Sequence, residues 1–331
     1  MPENNKNIPT IISKANKNNQ LHVFLINGPI SLVVSRMIID DYGIKKNNLF
    51  ISCMRNTDTS LIYPAEFLPN EYWYDRYFEK IFGIRLKALR ILKKILEKNK
   101  NFILYYSWAE LGTEKIIESK NCIGHIYIEE GQLSYAKIEP FNYKSSPIFK
   151  TITKNIYHLA LRKLTSNSSY ATDYSKRVKY HFRDDAEAFI GITPGVFPLI
   201  PKEKRYFLDN YKILKKYYKP KLLGIKTIGL TCAERRLKRS QWSLMLKKLV
   251  KRMPQGGIIK LHPSFIVDPK KVEIIKSLLK EIGPDNIMIC DDDVIIEIEM
   301  LYEPKVLIGS LTSLSVYANV FGSKFEDVEL Y

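Results

Sequence analysis

The chain has 331 residues, enough for two domains of ordinary size, and its 45% hydrophobic content is that of a globular protein in water. Lys and Arg number 52 against 35 Asp and Glu, a formal net charge of +17 that favours an anionic partner: nucleic acid, an acidic membrane surface, or a phosphorylated or acidic substrate. Cys53, Cys122, Cys232 and Cys290 lie far apart with no CxxC pair, so the sequence suggests neither a zinc site nor a disulfide framework.

Residues 1–20 are polar and Asn/Lys-rich, lack the apolar core of a signal peptide, and read as a flexible leader. Leu21–Ile26 is a β-branched and aromatic run that predicts a strand; Asn27-Gly28-Pro29 breaks it, and Ser31–Tyr42 has helical apolar spacing. The turn lacks the repeated glycines of a dinucleotide fingerprint. Leu49–Cys53 predicts a second strand, Glu71–Phe82 and Ile84–Lys98 helices, Phe102–Tyr106 a third strand and Gly124–Ile128 a fourth. Strands alternating with helical segments predict parallel βαβ units. A helix is expected over Ile152–Leu164, a polar stretch over Asn167–Lys176, and a proline-marked hinge over Phe189–Leu199.

Beyond the hinge, Lys202–Lys219 reads as a basic helix. Lys226–Thr231 predicts a strand, Gln241–Arg252 a helix, and Ile258–Leu261 a short buried strand bounded by Gly256-Gly257 and by His262-Pro263. Val272–Glu281 then predicts a helix and Ile287–Cys290 a strand. Asp291-Asp292-Asp293 is expected to cap a helix over Val294–Tyr302, with a metal-binding acidic motif as the alternative. Val306–Ile308 predicts the last strand, and Gly309–Ser313 turns into a helix over Leu314–Phe321. The uncharged Val306–Gly322 run is too short and too polar to span a membrane. The expected organisation is a leader over 1–20, one Rossmann-like domain over 21–200 and a second over 201–331.

Three positions concentrate chemistry. Glu129-Glu130-Gly131 puts two carboxylates at a strand end, where two-residue alternation sends them to opposite sides and one is left to face a cleft. The alternative is a surface turn with two solvated acids. His262, held by Pro263, ends a strand where open α/β sheets bind ligands; the alternative is a surface histidine at a strand end with no role. Thr312-Ser313 opens a helix, a phosphate cradle or a plain cap.

In this order and spacing, the acidic-acidic-Gly, His-Pro and Thr-Ser motifs resemble those of the bacterial GT-B sialyltransferases and polysialyltransferases. The Asn27-Gly28-Pro29 turn and a Glu in the helix before the last motif, here Glu297, extend the likeness; residues 132–225 add little, and Thr312-Ser313 stands where the family has paired serines. The resemblance implies an α/β GT-B architecture of two Rossmann-like domains facing across a cleft. It also implies an inverting, metal-independent glycosyltransferase that moves sialic acid, or a related nonulosonic acid, from a CMP-sugar to a hydroxyl of a bacterial capsule or lipooligosaccharide glycan.

Under it, Glu129 is the general base and Glu130, Gly131 and Asn27 are supporting. His262 stabilises the departing phosphate. Thr312, Ser313, Glu297 and Pro263 bind the phosphate and ribose of CMP. No cofactor is expected beyond the donor substrate; the acceptor is a lipid-linked glycan, the location is the cytoplasm or the anionic inner membrane face, and nucleic acid is not a partner. The rivals are a CMP-Kdo transferase of the same architecture and a non-enzymatic polyanion or nucleic-acid binder drawn by the +17 charge.

Overall fold

The computed structural model describes residues 9–54, 71–73, 91–107, 113, 116–135, 182–183, 185–232, 238–262, 269–283, 285–291, 293–310 and 312–329. The chain divides into two compact units, Met1–Asp209 and Asn210–Tyr331.

In the first unit the described strands are β1 (Leu21–Ile26), β2 (Leu49–Met54), β3 (Glu71–Trp73), β4 (Phe102–Tyr106), β5 (Cys122–Ile128), β6 (Ala188–Gly191) and β7 (Arg205–Phe207). They form one sheet in the order β3-β2-β1-β4-β5-β6-β7, with every pairing parallel. Registers such as Phe24 with Tyr105 and Ile128 with Ile190 align the carboxyl ends of the central strands. β1 and β4 are buried along their whole lengths, which is why both read as near-continuous apolar runs, His22 apart, and not as alternating ones. Leu25, Leu104, Tyr106, Tyr127, Phe189, Val196 and Phe197 pack into one core, with the Tyr127 and Phe189 rings stacked at 4.9 Å.

Helix α1 (Thr10–Lys17) occupies the stretch expected to be a flexible leader. Ile12 and Ala15, three residues apart on one helical face, are fully buried, and that short apolar face against the sheet orders an otherwise polar segment. Helix α2 (Pro29–Asp41) follows β1, with proline at its first position, where no hydrogen-bonding N–H is lost. Residues 91–96 are helical, as expected; the helix expected over 152–164 and the polar stretch over 167–176 lie outside the described residues.

Three expectations in this region are corrected. Glu71–Trp73 is strand β3, paired with Ser52–Met54, because sheet pairing overrides a short helical pattern. Phe189–Leu199 is no linker: Phe189, Ile190, Val196 and Phe197 are core residues. Lys202–Lys219 is not one helix but a 3₁₀ turn at Lys202–Lys204, edge strand β7, and a second 3₁₀ turn at Tyr211–Lys216. Asp209-Asn210, turn-forming residues, separate the last two. Because β7 pairs with β6, the first unit extends to Asp209, past the expected boundary at residue 200.

The second unit carries β8 (Thr227–Leu230), β9 (Gly257–Lys260), β10 (Ile287–Ile289), β11 (Val306–Gly309) and β12 (Lys324–Asp327), parallel throughout and ordered β10-β9-β8-β11-β12. Its helices are α3 (Arg239–Lys251), α4 (Pro269–Ile282), α5 (Ile296–Tyr302) and α6 (Ser313–Val320). Trp242, Met245, Leu246 and Leu249 of α3 pack with Ile275, Leu278 and Leu279 of α4 and with Ile259 of β9. The acidic triplet does not cap α5: the cap position is Ile295, and Asp293 instead pairs with the Lys221 ammonium. Asp292 lies outside the described residues. β12 had no strand expectation.

His22, in β1, has no exposed surface and shares a 2.9 Å hydrogen bond between Nδ1 and the Tyr105 hydroxyl. Burial pushes its pKa from 6.5 down to about 4. Between those values the unfolded chain takes up a proton that the folded chain refuses. The contribution is therefore complete above pH 6.5 and is lost as pH falls through 4, a change of about 3 kcal/mol. Denaturant unfolding at pH 7.5 and pH 4 should show a larger loss of stability for the parent than for His22→Gln, which cannot titrate; equal losses would assign the effect to other groups.

Candidate functional site

Each unit gathers part of the expected site at the carboxyl edge of its own sheet. In the first, the acidic turn leaves β5. The Glu129 N–H donates to the Ile190 carbonyl at 2.9 Å, so the backbone is still in register with β6 where the first carboxylate is set. Glu129 has no exposed surface. Its Oε2 accepts from the Ile192 N–H at 2.7 Å and its Oε1 accepts from the Tyr135 hydroxyl. That hydroxyl also lies 2.9 Å from the hydroxyl of Thr193, which is itself buried. The two acids diverge, as strand alternation requires, and the first is enclosed by polar partners.

Gly131 turns the chain with φ +145°, a backbone region that disfavours side chains. The following 3₁₀ turn, Gln132–Tyr135, is what carries the Tyr135 phenol back over Glu129. Ser134 fastens that turn: its N–H donates to the Gly131 carbonyl, its Oγ accepts from the Glu130 N–H at 3.2 Å, and its carbonyl accepts from the Phe197 N–H at 2.6 Å.

Glu130 goes the other way. It is half-buried, and its Oε1 accepts from the Asn27 side-chain amide at 2.6 Å. Asn27 is buried just past β1. Ser31, in the first turn of α2, accepts through Oγ from the N–H groups of both Asn27 and Gly28 at 2.9 Å, and this holds the Asn-Gly-Pro turn in place. Sequence reasoning brought Asn27, Glu130 and Gly131 into one site and the structure brings them together. It missed Tyr135, Thr193 and the Ile192 N–H; the last two stand more than sixty residues beyond Glu129, and no local pattern marks them.

In the second unit, His262 follows β9 and is half-exposed. Its N–H donates to Thr231 Oγ1 at 2.8 Å, and the Thr231 N–H donates to the Lys260 carbonyl, so the exits of β8 and β9 are tied together. Thr231 carried no signal in the sequence. Pro263 lies outside the described residues. Beyond β11, Thr312 is the N-cap of α6: its Oγ1 accepts from the Leu314 N–H at 3.2 Å, and its carbonyl accepts from the Ser315 hydroxyl at 2.6 Å. Ser313 is the first residue of that helix and is half-buried. The N-terminal peptide dipoles there favour an anion.

Glu297 stands in the first turn of α5. Burial raises its carboxyl pKa, opposed by a backbone hydrogen bond and by the Lys260 ammonium. Two residues on, Glu299 is fully buried and accepts from the Tyr218 hydroxyl at 2.7 Å and from the Lys221 and Leu222 N–H groups at 2.7 and 3.1 Å. Glu299 anchors the 218–222 segment, which leaves Glu297 as the acid of α5 available for another partner. Among the described residues no group of three His, Cys, Asp or Glu side chains is placed to hold a metal ion. Nor, among them, is any helix long and apolar enough to cross a membrane.

No protein-family model matches the sequence, and no curated protein sequence matches it. By fold it is similar to S. aureus MnaA solved with UDP, with a TM-score of 0.56 and 12% identity over 93% of this chain and 79% of that one. A structure described as a UDP-N-acetylglucosamine 2-epimerase from Listeria monocytogenes gives 0.53 and 11% identity over 92% and 78%. Two parallel-sheet α/β units in a chain that follows these folds nearly end to end have the GT-B architecture expected from the sequence.

The enclosure of Glu129 is testable through the residue beneath it. A Cβ on Gly191 would stand 2.6 Å from Glu129 Oε2 and 2.6 Å from Val196 Cγ1, both in buried side chains. Gly191→Ala should therefore cost about 1–3 kcal/mol by overpacking. A shift in the urea midpoint with unchanged m-value checks it, and parental stability would mean that the Glu129 side chain is free to move away.

Proposed function

We propose that this protein is a nucleotide-sugar-dependent glycosyltransferase that moves sialic acid or a related nonulosonic acid from a CMP-sugar to a hydroxyl of a glycan. One observation carries the reading. The three motifs that resemble the sialyltransferases all follow the carboxyl ends of parallel strands, Glu129-Glu130-Gly131 after β5, His262 after β9 and Thr312-Ser313 after β11. Carboxyl ends are where open α/β sheets bind ligands.

The chemistry follows from the groups. The acceptor O–H gives its proton to a carboxylate of the acidic turn as its oxygen bonds to the anomeric carbon. The bond from that carbon to the phosphate oxygen breaks on the opposite face, so configuration inverts and the electron pair leaves with CMP. His262 balances the charge gained by the phosphate, Thr312, Ser313 and the start of α6 hold it, and Glu297 accepts hydrogen bonds from the ribose. The net charge of +17 suits an acidic glycan or an anionic membrane face beside it.

A second reading has its own support: of the similar structures, that of S. aureus MnaA is described with UDP and that from Listeria monocytogenes as a UDP-N-acetylglucosamine 2-epimerase, which favours a UDP-sugar as donor. Nucleotide binding separates the two. At a hundredfold excess over Kd, the preferred nucleotide should stabilise the protein by about 2.7 kcal/mol. In thermal melts, CMP should raise Tm and UMP, UDP and GDP should not; a rise with UDP alone selects the second reading, and no rise with any of them removes both. With CMP-sialic acid and an oligosaccharide acceptor, His262→Ala should lower kcat by roughly 10²–10³ while the fold is kept.

A further inference from the structure

Residues 211–226 of the second unit carry six lysines, at positions 212, 215, 216, 219, 221 and 226, and no Asp or Glu. All six are exposed. Lys221 pairs with Asp293, and the Lys215 ammonium lies 4.9 Å from the centre of the Tyr302 ring. Lys212, Lys216 and Lys219 have no carboxylate partner among the described residues. Lys212 and Lys215 are three apart in the 3₁₀ turn Tyr211–Lys216, so they share one side of it, while Leu214 is buried on another.

The same stretch presents a leucine. The Ile225 N–H donates to the Leu222 carbonyl at 3.2 Å, and Gly224 has φ +80°, the value a type II turn needs at its third residue. Leu223 is the second residue of that turn, and 61% of its surface is exposed. The residues on either side of it are fastened. Glu299 accepts from the Lys221 and Leu222 N–H groups, Glu303 accepts from the Gly224 N–H at 3.0 Å, and the Lys305 ammonium donates to the Leu222 and Ile225 carbonyls. The Tyr302 hydroxyl donates to the Tyr218 carbonyl at 2.6 Å while its ring lies under Lys215, so the lysines before the turn are tied to the same frame. Proline or a small polar residue is usual at such a corner. Here an aliphatic side chain is held out in water among cations, by groups of which Glu299 and Lys305 are buried.

The turn stands at the amino-terminal edge of the second sheet: the Val306 N–H, which opens β11, donates to the carbonyl of Lys226, one residue before β8. His262 and Thr312 follow the opposite, carboxyl ends of β9 and β11. We infer that this amino-terminal edge docks on an anionic lipid bilayer, with Leu223 entering the boundary of the acyl chains and the lysines facing the headgroup phosphates. The inference does not depend on the transferase reading, because the surface lies away from the residues that reading uses.

Nucleic acid and acidic glycans also attract lysines. Both are polar along their backbones and give an aliphatic corner nothing to enter, whereas a bilayer offers phosphates and hydrocarbon within one side chain's reach of each other. A sequence-independent nucleic-acid surface also offers aromatic rings on which bases stack. In this stretch the Tyr211 ring packs edge-on against Phe321 at 5.1 Å, Tyr218 is buried, and Tyr302 lies under Lys215.

The test sediments the full-length protein with vesicles of phosphatidylcholine alone and of phosphatidylcholine mixed with phosphatidylglycerol. Binding should require phosphatidylglycerol and fall steeply with added salt. Lys216→Gln combined with Lys219→Gln should weaken it about twentyfold, roughly fivefold for each lysine. Leu223→Ser should weaken it about tenfold. Both variants should keep the parental Tm, since each replaced side chain is exposed. Equal binding to phosphatidylcholine alone, or binding to neither kind of vesicle, overturns the inference. So does parental vesicle binding by Leu223→Ser where the lysine variant loses it, the pattern of a plain polyanion surface, and so does tighter binding to polyuridylate than to the mixed vesicles.

Discussion

Strand-order reversal is the constraint on which the rest depends. In each unit a parallel sheet is built outward in both directions from one central pair, β1 with β4 and β8 with β11. Parallel neighbours require crossovers, and the crossovers from two halves that wind in opposite directions leave on opposite faces. A crevice then opens at the carboxyl ends of the central pair without any side chain having to create it. The polar residues of interest here, Asn27, Glu130, Thr231, His262 and Thr312, all sit just beyond strands of those two sheets, where loops can vary while the strands below remain fixed.

Holding those loops still is the work of buried polar groups. Glu129 accepts from Ile192 and Tyr135, and Glu299 accepts from Tyr218, Lys221 and Leu222. Lys305, also buried, donates to the Leu222 and Ile225 carbonyls at 2.6 and 2.8 Å and pairs with Glu303 at 2.7 Å. Charged groups removed from water are costly unless their hydrogen bonds are made, and each of these has several. Glu299 and Lys305 act on one segment: residues 218–225, an irregular stretch before β8, are held by these two side chains, by Glu303, which accepts from the Gly224 N–H at 3.0 Å, and by the Tyr302 hydroxyl, which donates to the Tyr218 carbonyl at 2.6 Å.

The strands were legible because parallel, doubly covered strands are near-continuous apolar runs. Leu21–Ile26 and Phe102–Tyr106 are found with the bounds expected, and β8, β9, β10 and β11 lie within one residue of theirs. What could not be read was structure owed to distant partners. Glu71–Trp73 becomes a strand only by pairing with β2, and Arg205–Phe207 only by pairing with β6. α1 is ordered by two small buried contacts at Ile12 and Ala15 in a segment whose composition is that of a flexible tail. The site divides in the same way. Its acids, histidine and hydroxyls stand in short local motifs, but Thr231 beneath His262 and Thr193 beside Tyr135 are supplied by other strands, and nothing near either position in the sequence marks it.

The acidic pair shows how far local geometry reaches. Alternation along an extended chain requires successive side chains to diverge, and they do: Glu129 turns toward β6 and Glu130 toward β1. Alternation does not say which direction is enclosed. That is decided by Gly191, whose missing side chain leaves room for the Glu129 carboxylate, and by Gly131, whose positive φ starts the turn that returns Tyr135 over it. On the other side stands Asn27, one neutral amide at a strand end, which holds a carboxylate without neutralising it. Two chemically identical residues thus meet different surroundings, set by a glycine, a phenol and an amide that no local pattern in the sequence pairs with either of them.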